Sequence, residues 1–437
     1  MLSTKSYRTV LLGLCILAAS CSHQDDDIPT ENRISLLGDT SVMLKQSSHD
    51  VTIPDVIFNT DWTQVSGLPF NDIGNLKGIN DFSNVKKIYI GDTKDGEHEV
   101  TMQPVVSAGK AFFYTIDSEL VALDLQTGKI VWKQSVAPLH DTDDNPRGGG
   151  LASDGGYVFV TTSNGIIAAY NTDTGKQIWR INNKVPLSAA PTLAQGILYV
   201  IDRDNRLQAL DSSSGNPLWD YRGLPEPSAY SHVASASVFG TVLIAPFTSG
   251  ELTAINIATQ KPAWGQTLIG GGLNPGGIQF NTISGEVIIS NRMIFASVPS
   301  GLIVALKGQT GETIWQHELG TAKTMLSAAD SLFMIDTNAT LYALDKQDGS
   351  IMWKRNLQQY EDSDDKTGLI EWTSPLMSNG NIVVFSNIGK SLIIDAKDGS
   401  VLHRNDDAPE TIIDPIIASG KLLVHGKSGY AYIYESD

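Results

Sequence analysis

The sequence predicts an all-β fold: an eight-bladed β-propeller closed into a ring by its own N-terminal strand. Three observations point to it. The frame Ala-Leu-Asp-x-x-x-Gly-x-x-x-Trp, plainest at Ala122…Gly128…Trp132, returns in copies ending on Trp179, Trp219, Trp264, Trp315 and Trp353. A seventh copy, Ile394-Asp395…Gly399…His403, keeps the turn and puts His in the Trp place; successive outer positions are 47, 40, 45, 51, 38 and 50 residues apart. Self-similarity at about 40–50 residues marks a propeller or a similar array. Third, the two ends of the repeat region are each incomplete, and each supplies what the other lacks.

Every copy has the same physical reading. An alternating apolar run such as Leu120-Val121-Ala122-Leu123 is a half-buried strand. Asp or Asn followed by a Gly makes a tight turn, because the Asx side chain caps its own backbone and Gly accepts positive φ. The Trp falls on the next, outermost strand, where its ring can bury against the neighbouring blade. Upstream strands are expected at Ala111–Ile116, Tyr157–Thr162, Leu198–Asp202 and Ile382–Ser386. One more run before each makes four strands, the content of a blade. Near the N-terminus, Lys86–Gly91 reads as an outer strand with Tyr89 in the Trp place and no inner strands before it. At the other end, Lys421–Val424 and Tyr430–Tyr434 read as inner strands with no outer strand following. Joining them closes the ring and protects its sheet edges. Outer strands marked by Tyr89, six Trp and His403 count eight blades, or seven if residues 55–92 are an extension of the ring.

Residues 1–20 have a basic start (Lys5, Arg8) and an apolar run from Val10 to Ala19, the layout of a secretory signal and too short to span a membrane. Leu17-Ala18-Ala19-Ser20-Cys21 resembles the bacterial lipoprotein cleavage box, in which the Cys is acylated and begins the mature chain. Residues 21–54 are expected to be a polar tether after lipidated Cys21, and 55–437 the propeller. The only cysteines are Cys15 and Cys21, so the body has no disulfide, thiol nucleophile or Cys-based zinc site. A formal charge of −17 disfavours nucleic acid as a partner.

No motif demands catalysis. The repeat aspartates Asp124, Asp211, Asp345 and Asp395 are turn formers. Asp141-Thr142-Asp143-Asp144-Asn145 has the density of a calcium loop but lacks the Gly and Glu that such a loop needs. The eight His are scattered singly, and no nucleophile elbow or phosphate-cradling loop occurs in a strand-to-helix context. No catalytic residue, metal site or cofactor is expected. The loops after blades, including Gly223–Ala236, Gly270–Gly285 and the acidic Gln358–Thr367, are where partner contact is expected.

The repeat resembles the tryptophan-docked propellers of the pyrroloquinoline quinone (PQQ) dehydrogenases. The whole arrangement is similar to the BamB family, propeller lipoproteins of the outer-membrane β-barrel assembly machine. That similarity rests on Cys21, Asp61-Trp62, Ile90-Gly91, Pro104-Val105-Val106, Gly148-Gly149-Gly150 and Ser249-Gly250-Glu251-Leu252, besides the repeats. It implies a non-enzymatic adaptor, lipid-anchored at the periplasmic face of the outer membrane, that aids insertion of β-barrel proteins. Its implied partners are the barrel-forming subunit and unfolded outer-membrane proteins. In that family the barrel-forming subunit is contacted by loops following the third and fourth blades, so Leu224, Glu226, Tyr230, His232, Thr282 and Ser284 are the expected partner-binding residues. Family members can carry Leu-x-Leu-Arg and paired Asp in these loops, where this chain has Pro227-Ser228-Ala229-Tyr230 and Thr282-Ile283-Ser284. Two other readings stand beside this one: a PQQ-dependent dehydrogenase-like enzyme, and an envelope ligand-binding propeller of unrelated role.

Overall fold

The computed structural model describes residues 44–436 except 97, 138–147, 188, 227–232 and 272–280. Eight four-stranded antiparallel sheets follow one another along the chain. Blade 1 contains Val105–Ser107, Lys110–Tyr114, Glu119–Asp124 and Ile130–Ser135, and blades 2 to 7 repeat this order through Val401–Asn405. Blade 8 takes Ile416–Ala418, Lys421–His425 and Tyr430–Glu435 from the C-terminus and its outer strand, Val85–Tyr89, from the N-terminus. The expected closure is therefore observed, and the blade number is eight. The predicted second strands of blades 1, 3 and 7 start a residue earlier than expected and end one or two earlier.

The turns work as the repeat implies. Asp124 Oδ1 accepts from the N–H groups of Gln126 and Thr127 and from the Thr127 hydroxyl, while Gly128 N–H reaches Asp124 O across a left-handed residue, φ +69°. Each outer Trp is paired with the repeat's Ala, as in Ala122–Trp132 and Ala343–Trp353. Its ring covers the turn glycine of the next blade. Cβ atoms built on Gly175, Gly215, Gly311, Gly349 and Gly399 would lie 2.5–2.8 Å from the rings of Trp132, Trp179, Trp264, Trp315 and Trp353. The same rings donate Nε1–H to backbone oxygens beside those turns, for example Trp315 to Lys346 O at 2.8 Å and Trp353 to Ala396 O at 2.9 Å. Glycine is thus required twice at each turn, by its positive φ and by the indole lying on it. Blade 4 departs from this rule: Gln260 holds the left-handed position at φ 57°.

Two exceptions in the Trp series follow from ring closure. His403 pairs with Ile393 in the Trp register, yet it is exposed. Blade 8 gets its outer strand from the far end of the chain, so it has no third-to-fourth-strand turn for a ring to cover. In the closing strand, the residue in the Trp register is Lys86, opposite Ile433, and not Tyr89, which pairs with Tyr430. Lys86 lies over Gly128 of blade 1 and points its amine at Thr127 O. Tyr89 has an aromatic ring at a suitable spacing, but it sits three residues beyond the dock.

The segment before that strand is a strap. The innermost strand of each blade leaves backbone groups facing the channel, and the strap meets them in blade order. Asn59 bonds Ile417 O and Ser419 N in blade 8, and Trp62 exchanges two 2.8 Å bonds with Val106 in blade 1. Thr63 O accepts from Ser153 N and Gln64 Oε1 from Leu193 N. Pro69 O takes Val238 N and Phe70 O takes Ile289 N. Asp72 accepts from the Ser327 hydroxyl, and Leu76 bonds both Met377 O and Asn379 N. Trp62, Leu76 and Ile79 are buried in the cluster that also holds blades 1, 7 and 8 together. Part of the expected tether, residues 44–54, lies on the ring, with Gln46 bridged to Ile351 and His49 Nδ1 2.8 Å from Asp345.

Candidate functional site

Alternating strand directions give the propeller two unlike ends. Turns joining first to second and third to fourth strands lie at one end, with the strap. Second-to-third-strand turns and the connections between blades lie at the other, which we term the loop end. Loops that project from a rigid ring are suited to recognition.

The loop after blade 3 is fixed by two side chains from the ring. Asn205 is fully buried, with φ 56°; its Nδ2 donates to Leu224 O at 2.6 Å, and its Oδ1 accepts from Thr248 N and Oγ1. Glu251 Oε2 accepts from Leu224 N at 2.8 Å. Both backbone groups of Leu224 are held while its side chain is 59 % exposed. After blade 4, Leu268 is buried and donates N–H to Gly250 O, and the next residue, Ile269, is 62 % exposed. An apolar side chain on a fixed backbone loses little entropy on binding, which favours a contact hot spot. Ile269 was missed in the sequence; its signal is one apolar residue directly before Gly270-Gly271-Gly272.

The other expected contact residues divide. Glu226 is half-buried on the same loop as Leu224. Thr282 is 0 % exposed and donates its hydroxyl to Thr248 O at 3.2 Å; Ser284 is 5 % exposed and faces the channel. Ser284 lines the inside of the ring, Thr282 is enclosed within the wall, and neither presents rim surface. Tyr230, His232, Cys21 and the Asp141–Asn145 loop lie outside the described residues. The acidic stretch Gln358–Thr367 forms a small hairpin, Tyr360–Asp362 with Thr367–Leu369.

Behind the rim, the channel opens into a cavity of ≈ 510 Å³. Its wall includes Ser284, Glu286, Asp414, Ile335, Ile370 and Trp372, and Val65 of the strap reaches it from below. Glu286 is fully enclosed, with Ser235 donating N–H to Oε2 at 2.9 Å and its hydroxyl to Oε1 at 3.3 Å. Burial pushes this carboxyl up to about 8; the Ser235 donors pull it down and the Asp414 charge pushes it further up. Asp414 is held by Ser374 through N–H at 2.7 Å and Oγ at 2.6 Å. A calcium-bound quinone needs a convergent set of acidic and amide ligands. Among the described residues no three His, Cys, Asp or Glu converge on one point.

The fold defines a tryptophan-docked, eight-bladed propeller. The family model described as "Outer membrane protein assembly factor BamB" matches residues 116–355, more than half of the chain, and the chain belongs to that family. Similar curated relatives are the outer membrane protein assembly factors BamB of Yersinia pestis, 22 % identical over 78 % of this chain and 85 % of the relative, and of Shewanella oneidensis, 24 % identical over 76 % and 84 %. Among solved structures, BamB from Moraxella catarrhalis superposes with a TM-score of 0.64 at 18 % identity, covering 81 % of this chain and 97 % of that one. Quinohemoprotein alcohol dehydrogenase from Comamonas testosteroni reaches 0.61 at 14 % identity, over 86 % and 80 %. The latter likeness is one of fold.

Proposed function

We propose that this chain is a non-enzymatic adaptor lipoprotein of outer-membrane β-barrel assembly, anchored through Cys21 at the periplasmic face. Its loop end would hold the barrel-forming subunit, leaving that subunit free to receive unfolded outer-membrane proteins. Family membership supports the assembly role. The observation that carries the site is the pair Leu224 and Ile269, exposed on the neighbouring loops after blades 3 and 4. Glu226 and, on the same loop, Tyr230 and His232 complete the proposed contact.

The test is a mild-detergent pull-down of the tagged, lipidated protein with partners identified by mass spectrometry. Leu224→Asp with Ile269→Asp should weaken recovery of the barrel-forming subunit by about 30-fold or more, the loss of a hot spot worth at least ~2 kcal/mol. Phe239→Asp, on the strap end, should leave recovery unchanged. Recovery of unrelated envelope proteins alone would sink the adaptor reading.

A further inference from the structure

The cavity at the loop end has a chemistry that the adaptor role does not use. Ser284 is 5 % exposed, lines the cavity, and its Oγ has no hydrogen-bond partner. A buried hydroxyl in that state normally costs about 1–3 kcal/mol, so a missing partner is the economical explanation. Two residues away, Glu286 presents a carboxyl to the same space and is fully enclosed without a basic side chain bonded to it. Among the described residues, four carboxyl groups line the cavity, those of Glu286, Asp336, Glu371 and Asp414, against one amine, that of Lys323. Asp336 is committed to its own turn through Asn338 N, Thr340 N and the Tyr342 hydroxyl.

The apolar part of the wall includes Ile335, Ile370 and Trp372, set among polar neighbours such as Thr321, Thr324, Thr337 and Gln359. Leu369, which ends the acidic hairpin, lines the cavity. The strap floors the other side. A pocket of this volume, apolar with a few convergent polar groups, has the form of a small-molecule site.

We propose that the loop end of the channel binds a small organic cation with an apolar body, an alkyl- or arylammonium. Its head would donate hydrogen bonds to the Glu286 carboxylate and to Ser284 Oγ, and its body would lie against Ile335, Ile370 and Trp372. The inference stands apart from the adaptor reading, because no residue of the Leu224–Ile269 rim takes part.

Isothermal titration calorimetry of the full-length protein in non-ionic detergent tests it, with benzylamine as probe and benzyl alcohol as its neutral counterpart, at pH 8.5. Benzylamine should bind at least about ten-fold more tightly than benzyl alcohol, the margin of one charge-assisted bond. Glu286→Gln should remove that margin while leaving benzyl alcohol as it was, and Ser284→Ala should weaken benzylamine several-fold. Equal affinity for the two probes, no heat from benzylamine at millimolar concentration, or full benzylamine affinity in Glu286→Gln would each overturn the proposal. Should Glu286→Gln fail to fold, the two probes on the unmodified protein and Ser284→Ala still decide.

Discussion

Replacing Trp315 by Ala removes one staple between blades 5 and 6. The indole is 7 % exposed, rests on Gly349, stacks on His317 at 5.3 Å and bonds Lys346 O at 2.8 Å. A buried Trp truncated to Ala costs about 3–5 kcal/mol, and leaving the Lys346 carbonyl unpaired adds roughly 1 kcal/mol. The loss should therefore be about 4–6 kcal/mol. His403→Ala at the equivalent place in blade 7 should cost under ~0.5 kcal/mol, because the side chain is exposed and no turn follows it in blade 8. Urea unfolding followed by far-ultraviolet circular dichroism reads both, since fluorescence would be confounded by the deleted indole. A Trp315→Ala cost below ~1 kcal/mol, or equal costs at the two positions, would refute the docking argument.

Gln260→Gly should stabilise the protein by about 0.5–1 kcal/mol, because the left-handed backbone at φ 57° disfavours a side chain by more than glycine loses in entropy; a lowered melting temperature would contradict this. His425 is fully buried against Phe113, with neither ring nitrogen bonded, and burial pushes its pKa down to about 4. The folded state therefore keeps it neutral, and the associated stability, on the order of 3 kcal/mol, is complete above pH 6.5 and is lost as pH falls towards 4. His425→Leu should flatten the acid limb of a stability–pH curve measured between pH 7 and 4, and an unchanged limb would count against the assignment. Glu286 acts in the opposite window. Its raised pKa gives stability that is complete below about 4.5 and lost as pH rises through 8, so Glu286→Gln should gain stability relative to the parent at pH 8.5.

The ring was legible because blades impose local patterns. Leu120–Leu123 is a continuous apolar run, buried on both faces and not half-buried as expected, Asp124…Gly128 marks a turn, and Trp132 marks the dock; these signals lie close together in the chain. Closure was legible from what Tyr430–Glu435 and Val85–Tyr89 each lacked. The strap was not, because Asn59, Thr63, Pro69 and Leu76 meet successive blades mostly through backbone groups, which leave no periodic side-chain pattern. Lys86 was passed over for the same kind of reason: the dock is set by register against Ile433, and Tyr89 offered the more Trp-like side chain. At the site, Leu224 was readable as an apolar residue in a loop. Thr282 and Ser284 share a loop segment with no hint that it turns inward. The cavity gathers Ser284, Trp372 and Asp414 from separate blade connections and Asp336 from a second-to-third-strand turn, a convergence that only the closed ring creates.

The central claim is that the loop end, and not the strap end, faces the assembly partner. A photo-crosslinking amino acid placed at Ile269 or at Phe239 in the lipidated protein, activated in intact cells, tests it directly. The account predicts an adduct with the barrel-forming subunit from position 269 and none from 239. An adduct from 239 alone, or from neither position with the protein present at normal levels, would contradict it.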